Sequence, residues 1–387
     1  MGSAKMTWPA GSGRRLPRLD LYQRLVRPAL FRMDPEWIHD RSVRAAEAIS
    51  RSGWVCKRVD RRVLVDDPRL TTTVSGLRLW SPLGLAAGYD KNARATPLLS
   101  SLGFGHVEVG SVSAYPSAGN TAPRLWRIPA DEGIVVYYGV PNEGAERVRA
   151  RLADGPHAVP VGVNIVNTNR GPDSAEESVD TIIEDYRRSV GLLQQDADYL
   201  CINLSCPNTR DGQGFFHHAG RLDRLLAVLA DVGVTKPLFL KVAPFAEASE
   251  LESFLSAADR APFVSGFSIN LPPGKPAGLR TPAAELSDKP GAVSGPGCRD
   301  RADRTIAALY RAMDHDRYTI IGSGGVTSGA DAYRKIRLGA TLVQLYTTLV
   351  YQGPGAVHRI TCELAALAAR DGLTALSDAV GVDAYRS

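Results

Sequence analysis

Short apolar stretches recur along most of the chain, separated by segments in which apolar residues return at helical spacing. Segments of the second kind include Val179–Leu193, Leu222–Leu229 and Ala330–Leu338, which we predict to be amphipathic helices. The short stretches are bounded by Gly, Pro, Asn or Ser and predict buried strands. The predicted strands are Leu83–Ala86, Val107–Val112, Val159–Ile165, Tyr199–Leu204, Leu238–Val242, Phe263–Ile269, Thr319–Gly322 and Leu342–Tyr346.

Strands that alternate with helices in this way indicate a closed parallel barrel rather than an open doubly wound sheet. The 387 residues of the chain leave room for such a barrel, which takes about 250 residues, and for extensions. We therefore expect the α/β class, specifically a (β/α)8 TIM barrel with a short N-terminal helical extension. The expected boundaries are a disordered leader over residues 1–19, a helical cap over 20–68 and the barrel over 69–387.

A hairpin and two amphipathic helices are predicted ahead of the barrel. Apolar residues between Tyr22 and Met33 recur at helical spacing with arginines between them, and Asp34-Pro35-Glu36 suits the start of a second helix. The hairpin is predicted over Leu70–Val74 and Leu77–Trp80. The helices can simply cover the edge of the barrel, or they can lie on a membrane and frame an entrance from the lipid side. The pattern alone favours neither interpretation.

Composition and charge narrow the function classes. The net charge of +5 is spread along the chain without a basic block, which argues against a nucleic-acid partner. The five cysteines form no C-x-x-C pair, which indicates reduced thiols and a cytoplasmic protein. No apolar run approaches the roughly 20 residues that span a bilayer. Any membrane contact is therefore expected to be peripheral, on the inner face of the cell membrane.

The stretch Tyr199–Thr209 carries the densest group of candidate functional residues. Its apolar half predicts a buried strand, and Pro207 ends that strand beside Asn203, Ser205, Cys206 and Asn208. Such polar groups are costly to bury without partners, and the carboxyl end of a barrel strand is where catalytic groups lie. For each residue alone, an ordinary turn with an inert buried thiol explains the sequence better. The cluster as a whole favours an active site.

Polar residues and glycines also follow the other predicted strands. Lys241 finishes an apolar strand and needs an anion or a carbonyl partner. The loop Gly322–Gly325 offers backbone N–H groups that suit a phosphate, and a plain turn into the next helix explains it equally well. Together these features fit FMN, a ring cofactor with one phosphate, because Lys241 can stabilise negative charge on the reduced flavin. No G-x-G-x-x-G follows the first strand, which argues against a dinucleotide fold.

Several motifs resemble those of one enzyme family. They are Pro82–Gly88, Gly103-Phe104-Gly105, Pro123-Arg124-Leu125, Asn203–Thr209 and Gly322–Gly325. Judged by these motifs, the chain resembles the dihydroorotate dehydrogenases. The resemblance extends from Leu21 to Val382 of this sequence. Its N-terminal stretch, up to Asp34-Pro35-Glu36, resembles the membrane-associated class of that family, which uses quinones.

The resemblance implies an FMN-dependent oxidoreductase in which a base removes a proton next to a carbonyl while hydride passes to the flavin. The implied base is Cys206. The implied FMN contacts are Ala87, Lys91, Ser111, Asn164, Asn203, Lys241, Ser268, Gly295, Gly324, Tyr346 and Thr347. The implied substrate contacts are Lys91, Asn142, Asn208 and Asn270, together with Val136, Tyr137 and Tyr138 of the loop expected to face the substrate. The implied partners are a small-molecule substrate and a quinone or another electron acceptor.

The chain departs from the family pattern on the substrate side. Cys206 stands where the membrane-associated class usually has Ser, and Val136 replaces an Asn that binds the orotate ring. Leu271 replaces a Ser or Thr, and the loop 210–218 lacks the usual Pro-Gly pair. Each buried polar group left unpaired costs roughly 1–3 kcal/mol. The sequence therefore predicts a substrate less polar than dihydroorotate.

Three other interpretations stay open on the sequence alone. The first is an authentic quinone-dependent dihydroorotate dehydrogenase of pyrimidine biosynthesis, whose loop contacts are rearranged. The second is a phosphate-binding barrel lyase or isomerase without flavin, which would be colourless. The third is a membrane-docked binding protein without catalysis, in which replacing Cys206 by Ala changes nothing.

Overall fold

The structure is a computed structural model that describes residues 21–155, 157–171, 174–206, 214, 216, 218 and 220–386. The predicted disordered leader over 1–19 lies outside these residues. The strands are β1 Thr72–Val74, β2 Leu77–Leu79, β3 Leu83–Leu85, β4 His106–Val112, β5 Leu125–Ile128, β6 Gly133–Val136, β7 Val161–Ile165, β8 Tyr199–Asn203, β9 Leu238–Val242, β10 Val264–Ile269, β11 Ala292–Ser294, β12 Thr319–Gly322 and β13 Leu342–Leu345.

Helices precede the barrel and connect most of its strands. A π-helical turn over Tyr22–Val26 leads into the first of them. They are α1 Arg27–Phe31, α2 Pro35–Ser50, α3 Gly53–Val63, α4 Thr96–Ser100, α5 Ala145–Ala153, α6 Val179–Leu193, α7 Arg221–Val232, α8 Ala248–Asp259, α9 Ala283–Leu286, α10 Arg299–Ala312, α11 Gly329–Arg337, α12 Thr347–Gln352 and α13 Ala356–Arg370.

Eight strands close into a parallel barrel in the order β3, β4, β7, β8, β9, β10, β12 and β13. These are the eight strands that the apolar stretches predict, so the predicted (β/α)8 barrel is confirmed. Each strand is short and apolar, and a parallel strand covered by helices is buried on both faces. The local pattern of apolar residues was therefore sufficient to predict the eight barrel strands.

The predicted hairpin closes the amino-terminal end of the barrel. Val74 and Leu79 of β1 and β2 pack in one buried cluster with Tyr199, Cys201 and Phe239 of the barrel interior. The five side chains are each at most 2% exposed. The hairpin thus seals one end of the barrel, and its interior is accessible from the carboxyl ends of the strands.

The N-terminal cap begins as the sequence predicts and contains one further helix. Asp34 caps α2, because its Oδ1 accepts a hydrogen bond of 2.8 Å from the backbone N–H of Trp37. Helix α3 was not predicted, because its sequence is dominated by charged residues and only Cys56 is buried. None of the helices in the described ranges is long and apolar enough to cross a membrane.

A second sheet lies outside the barrel and was not predicted from the sequence. It has three antiparallel strands in the order β11, β6 and β5. Val136, read from the sequence as part of a loop, ends the middle strand and pairs with both Leu125 and Ala292. The pairing with Ala292 joins residues far apart in the chain, so no local pattern reports it.

Candidate active site

A cleft opens at the carboxyl ends of the barrel strands. Most of the residues predicted for the site line it. Those that do are Ala87, Lys91, Ser111, Val136, Tyr138, Asn203, Cys206, Lys241, Asn270, Gly295, Gly324, Tyr346 and Thr347. The predicted residues Asn164 and Ser268 are buried outside its lining, as is Asn142, and Tyr137 also does not line the cleft. Asn208 falls outside the described residues.

A buried ion pair lies at the base of the cleft. Lys241 Nζ is 3.2 Å from Glu108 Oε1, and both side chains are less than a tenth exposed. Burial opposes the charge on Glu108, but the charge of Lys241 and the hydrogen bonds from Lys241, Gln344 and Asn164 together outweigh it and hold the pKa of Glu108 below its usual value. Burial likewise works against the charge on Lys241, but Glu108, with smaller contributions from Cys201 and Cys206, outweighs it and raises the pKa of Lys241. Both groups therefore stay charged at neutral pH.

Sequence reasoning missed Glu108, although a signal was present. In the strand His106-Val107-Glu108-Val109-Gly110 the carboxylate alternates with fully buried valines, so it points into the barrel. A buried carboxylate needs a cation, and the lysine that finishes β9 supplies it. Pairing Glu108 with Lys241 across the barrel predicts this contact.

Carboxamides connect the ion pair to the opening of the cleft. Asn164 Nδ2 donates to Glu108 Oε1 at 3.0 Å, and Ser111 Oγ donates to Asn164 Oδ1 at 2.6 Å. Asn270 Nδ2 donates to Asn203 Oδ1 at 3.0 Å. These hydrogen bonds fix the orientation of the amides. Asn164 therefore orients residues of the cleft lining from behind.

Cys206 follows β8 and lines the cleft with its side chain 3% exposed. It forms no disulfide. The preceding Ser205 fixes the chain, because its Oγ donates to the backbone carbonyl of Lys241 at 3.2 Å. Negative charge on Cys206 is among the causes that raise the pKa of Lys241. The thiol is thus close enough to the ammonium group for the two charges to interact.

Lys91 sits at the opposite wall, where the helical cap meets the barrel. Its Nζ is 2.7 Å from His39 Nε2 of α2 and 4.2 Å from the centre of the Tyr138 ring. Burial lowers the pKa of Lys91 to about 8, even though carboxylates further away oppose the shift. Burial and the charge of Lys91 hold the pKa of His39 well below its usual range. His39 was not predicted, because it reads as one more position on an amphipathic helix.

Part of the lining of the cleft is apolar. Val136 and Leu271 line the cleft together with Val140 and Pro141. Tyr138 lines it as well, whereas Tyr137 does not, because neighbouring residues of an extended chain point to opposite sides. The Tyr138 hydroxyl is buried and has no hydrogen-bond partner among the described residues.

The side chain of Asn142 is occupied by the protein itself. Its Oδ1 accepts from the backbone N–H groups of Ser113 and Gly144, at 3.2 and 2.9 Å. Its Nδ2 donates to Ser113 Oγ and to the carbonyl of Val140, at 2.8 and 3.0 Å. These four hydrogen bonds use the capacity of the amide. Asn142 shapes the wall of the cleft and has no hydrogen bond to spare for a ligand.

The far end of the cleft fits the phosphate-bearing cofactor that the sequence predicts. In the described part of the chain, the backbone N–H groups of Gly324, Gly325 and Thr347 donate to no other residue. Gly324 and Gly325 have φ of 92° and 71°, which side-chain-bearing residues rarely adopt. Deeper in the cleft, Gln344 Oε1 is buried without a donor. Free donors at one end and an unsatisfied acceptor inside match a ligand with a phosphate and hydrogen-bonding groups, as FMN has.

Comparisons with known proteins agree with this geometry. The family model described as "Dihydroorotate dehydrogenase" matches residues 69–367. A protein of Acidithiobacillus ferrooxidans named dihydroorotate dehydrogenase (quinone) is 40% identical over 372 residues, covering 92% of this chain and 98% of its own. A Roseiflexus castenholzii protein of the same name is 37% identical over 368 residues, covering 93% and 96%. The crystal structure of DHODH from Eimeria tenella in complex with ferulenol has a TM-score of 0.77 at 28% identity, covering 94% of this chain and 99% of that one.

Proposed function

Because the chain belongs to the dihydroorotate dehydrogenase family, whose members are FMN-dependent CH–CH oxidoreductases, we propose that it acts on a substrate less polar than dihydroorotate, with Cys206 as its base. The observation that carries this proposal is that Val136 and Leu271 line the same cleft as Cys206, at positions where the sequence resemblance leads us to expect polar side chains. The residues at the flavin side of the cleft keep the family pattern, so the change is confined to the substrate side.

Cys206 is the group we assign to proton removal. A thiolate is a competent base, and a free cysteine ionises at a pH of about 8.5 unless a cation assists it. Lys241 supplies a cation whose charge the buried Glu108 secures. Bound FMN supplies the acceptor for the hydride of the adjacent C–H bond. The residues of the chain hold the substrate, take its proton and exclude water.

The polar groups that remain near the thiol offer little to a pyrimidine ring. Asn270 Nδ2 already donates to Asn203 Oδ1, to Ser205 O and to Ser205 Oγ, at 2.8 to 3.0 Å. Asn270 Oδ1 accepts from the backbone N–H of Leu271 at 2.9 Å. Val136 and Leu271 contribute no side-chain hydrogen bond. A polar ring placed here leaves some of its groups unpaired, whereas an apolar one does not.

A second candidate is an authentic dihydroorotate dehydrogenase that passes electrons to a quinone. The observation in its favour is the name shared by the relatives at 34–40% identity, which match the helical cap as well as the barrel. Under this alternative, backbone groups of the cleft replace the two lost side-chain contacts.

Restoring the two polar side chains separates the candidates. We expect the wild-type protein to oxidise dihydroorotate with a quinone at a kcat/KM at least ~10²-fold below the usual lower value of about 10⁴ M⁻¹ s⁻¹ for enzymes. The double variant V136N/L271T should raise this kcat/KM roughly 30-fold or more, because two hydrogen bonds of about 1 kcal/mol or more each are regained. Steady-state assays with a soluble quinone measure both values.

The control is the double variant V136L/L271V, which changes side-chain size without adding a polar group. It should give no gain. Ordinary turnover of dihydroorotate by the wild-type protein would favour the second candidate and reject the less polar substrate.

The helical cap is the part of the molecule that we expect to contact a quinone-bearing membrane. Among the residues that the structure describes, most of the large exposed apolar side chains belong to it: Leu21, Leu25, Val26, Met33, Trp37, Ile49 and Trp54. Arg41 and Arg58 lie over the Trp37 and Trp54 rings, at 5.0 and 5.6 Å. Apolar side chains beside arginines are typical of helices that lie in a membrane interface. We infer peripheral binding through this face.

Removing apolar side chains from the cap should weaken this binding. The triple variant L25S/W37S/W54S is expected to lower the membrane-bound fraction on anionic vesicles by a factor of about ten or more, since each buried side chain contributes roughly 1.5–3 kcal/mol. Co-sedimentation measures the fraction. Y115S/Y385S removes two exposed aromatic residues outside the cap and serves as the control. Equal binding by all three proteins would exclude the cap as the contact.

A further inference from the structure

Lys91 is shared by two cavities. One is the central cleft, and the other is a polar cavity between the helical cap and the loops of the barrel. The second cavity is lined by residues of α2 and by the segments around Asn92 and Glu143. Lys91 thus lies between the two cavities, and its partner His39 lines the second one.

The charged groups that face Lys91 are engaged elsewhere or lie further away. Glu36 of α2 is paired with Arg124, at 2.7 Å between carboxylate and guanidinium. Asp90, the neighbour in sequence, accepts from the backbone N–H groups of Arg94 and Ala95, at 2.9 and 2.8 Å. Asp40 is exposed on α2, and Arg124 adds a positive charge. Within the described residues Lys91 forms no ion pair, so its near partners are His39 and the Tyr138 ring.

His39 is held in one place by the cap and by aromatic rings. Its side chain is 8% exposed, and its ring centre lies 5.4 Å from that of Tyr89, 6.1 Å from Tyr138 and 6.4 Å from Tyr346. A buried, neutral imidazole can accept a hydrogen bond from an ammonium group through one nitrogen. A free lysine side chain would sample many rotamers, and this contact restricts them.

We propose that His39 is a positioning residue for Lys91, through which the helical cap fixes the ammonium group at the edge of the cleft, facing the anionic or carbonyl oxygen of the substrate. The proposal rests on the proposed function only in assigning the substrate as the ligand of Lys91. Helix α2 is then part of the active site as well as a cover for the barrel.

The pH dependence has a defined sign. With its pKa at about 8, Lys91 carries its charge below pH 8 and loses it as the pH rises through that value. Phe at position 39 removes the hydrogen-bond acceptor and keeps an aromatic ring. The charged form of Lys91 then becomes less favourable, so the pKa of Lys91 falls. A hydrogen bond to a charged group corresponds to a shift of about one pH unit or more. Gln at position 39 retains a carbonyl acceptor and should keep the pKa of Lys91 near its wild-type value.

Two measurements on the flavin-loaded protein test the proposal. In the first, an amine-selective acylating reagent is applied between pH 6 and 10, and the modification of Lys91 is followed by mass spectrometry relative to the exposed Lys57. We expect the pH at which Lys91 is half-maximally modified to fall by about one pH unit in H39F and to be unchanged in H39Q. In the second, kcat/KM for the best available substrate is measured over the same pH range. The pH at which kcat/KM falls should be lower by about one pH unit in H39F and unchanged in H39Q.

An exposed residue of the same helix provides the control. R41A should leave both midpoints unchanged, because Arg41 contacts Trp37 at the surface and does not line either cavity. H39L replaces H39F if the larger ring lowers the thermal midpoint of unfolding. An unchanged Lys91 midpoint in folded H39F and H39L would overturn the assignment of His39. The labelling uses no substrate, so its result is independent of the comparison with dihydroorotate that tests the proposed function.

Discussion

Replacing Cys206 by Ala is expected to lower kcat by a factor of about 10²–10⁴, the contribution of a positioned general base. The side chain lines the cleft next to the carboxamides at the end of β8, and Lys241 is close enough for the two charges to interact. Alanine keeps the backbone and removes the proton acceptor. The flavin content of the purified variant should equal that of the wild type, because the change leaves the flavin-binding residues in place.

Two further variants make this result specific to the base. C206S replaces the thiol by a hydroxyl that ionises less readily, and it should retain part of the activity with an optimum at higher pH. C56A removes a buried thiol of helix α3 that does not line the cleft, and should leave kcat within a few-fold. A C206A protein that keeps more than a tenth of the wild-type kcat would exclude Cys206 as the base.

Replacing Lys241 by Met is expected to reduce the free energy of unfolding by about 3–5 kcal/mol at neutral pH. Glu108 is fully buried, and without Lys241 its charge has no cation to offset the loss of hydration. Flavin content and kcat should fall in the same variant, because Lys241 also lines the cleft. Chemical denaturation and the absorbance of bound flavin measure the two effects.

The loss of stability should depend on pH with a predictable sign. In the wild type, the lowered pKa of Glu108 contributes stability that is present at neutral pH and is lost as the pH falls through that pKa. In K241M, burial alone raises the pKa of Glu108, so the carboxyl is neutralised in mildly acidic solution. The difference in unfolding free energy between the two proteins should therefore be smaller at pH 5 than at pH 7.5.

Two comparisons separate stability from chemistry. The double variant K241M/E108Q removes both charges and should recover much of the stability without recovering kcat. K335M breaks another buried pair, in which Lys335 Nζ lies 2.6 Å from Asp303 Oδ1 at the outer helices, and it should lower stability while changing kcat little. A K241M protein as stable as the wild type at pH 7.5 would show that Glu108 does not depend on Lys241 for its charge.

The barrel itself could be predicted from the sequence because its signals are local. Each barrel strand is an apolar stretch between turn residues, and helices between the strands show a helical period, as Val179–Leu193 does to the residue. The N-cap hydrogen bond of α2 is also local, since Asp34 contacts Trp37 only three positions away. For these elements, neighbouring residues carry the information that the fold uses.

The elements that were missed depend on partners distant in the chain. Glu108 binds Lys241, which is 133 positions away, and His39 binds Lys91 from a different part of the fold. Strand β11 pairs with β6 across a similar distance. For Glu108 and Lys241 the sequence carries one sign of their contact, since each is a buried charge on a barrel strand that needs a partner. For the other two pairs a single sequence shows both members and gives no sign that they meet. The substitution at Val136 was visible only because the chain resembles a family with Asn at that position.

The three-stranded sheet also bears on how selectivity can change within such a fold. Val136 stands on the middle strand, with a hydrogen-bonded neighbour on either side, so its backbone is braced independently of its side chain. Under the proposed function, exchanging that side chain changes what the cleft accepts and leaves the scaffold as it was. A change of substrate at such a position therefore does not require a new way to fold.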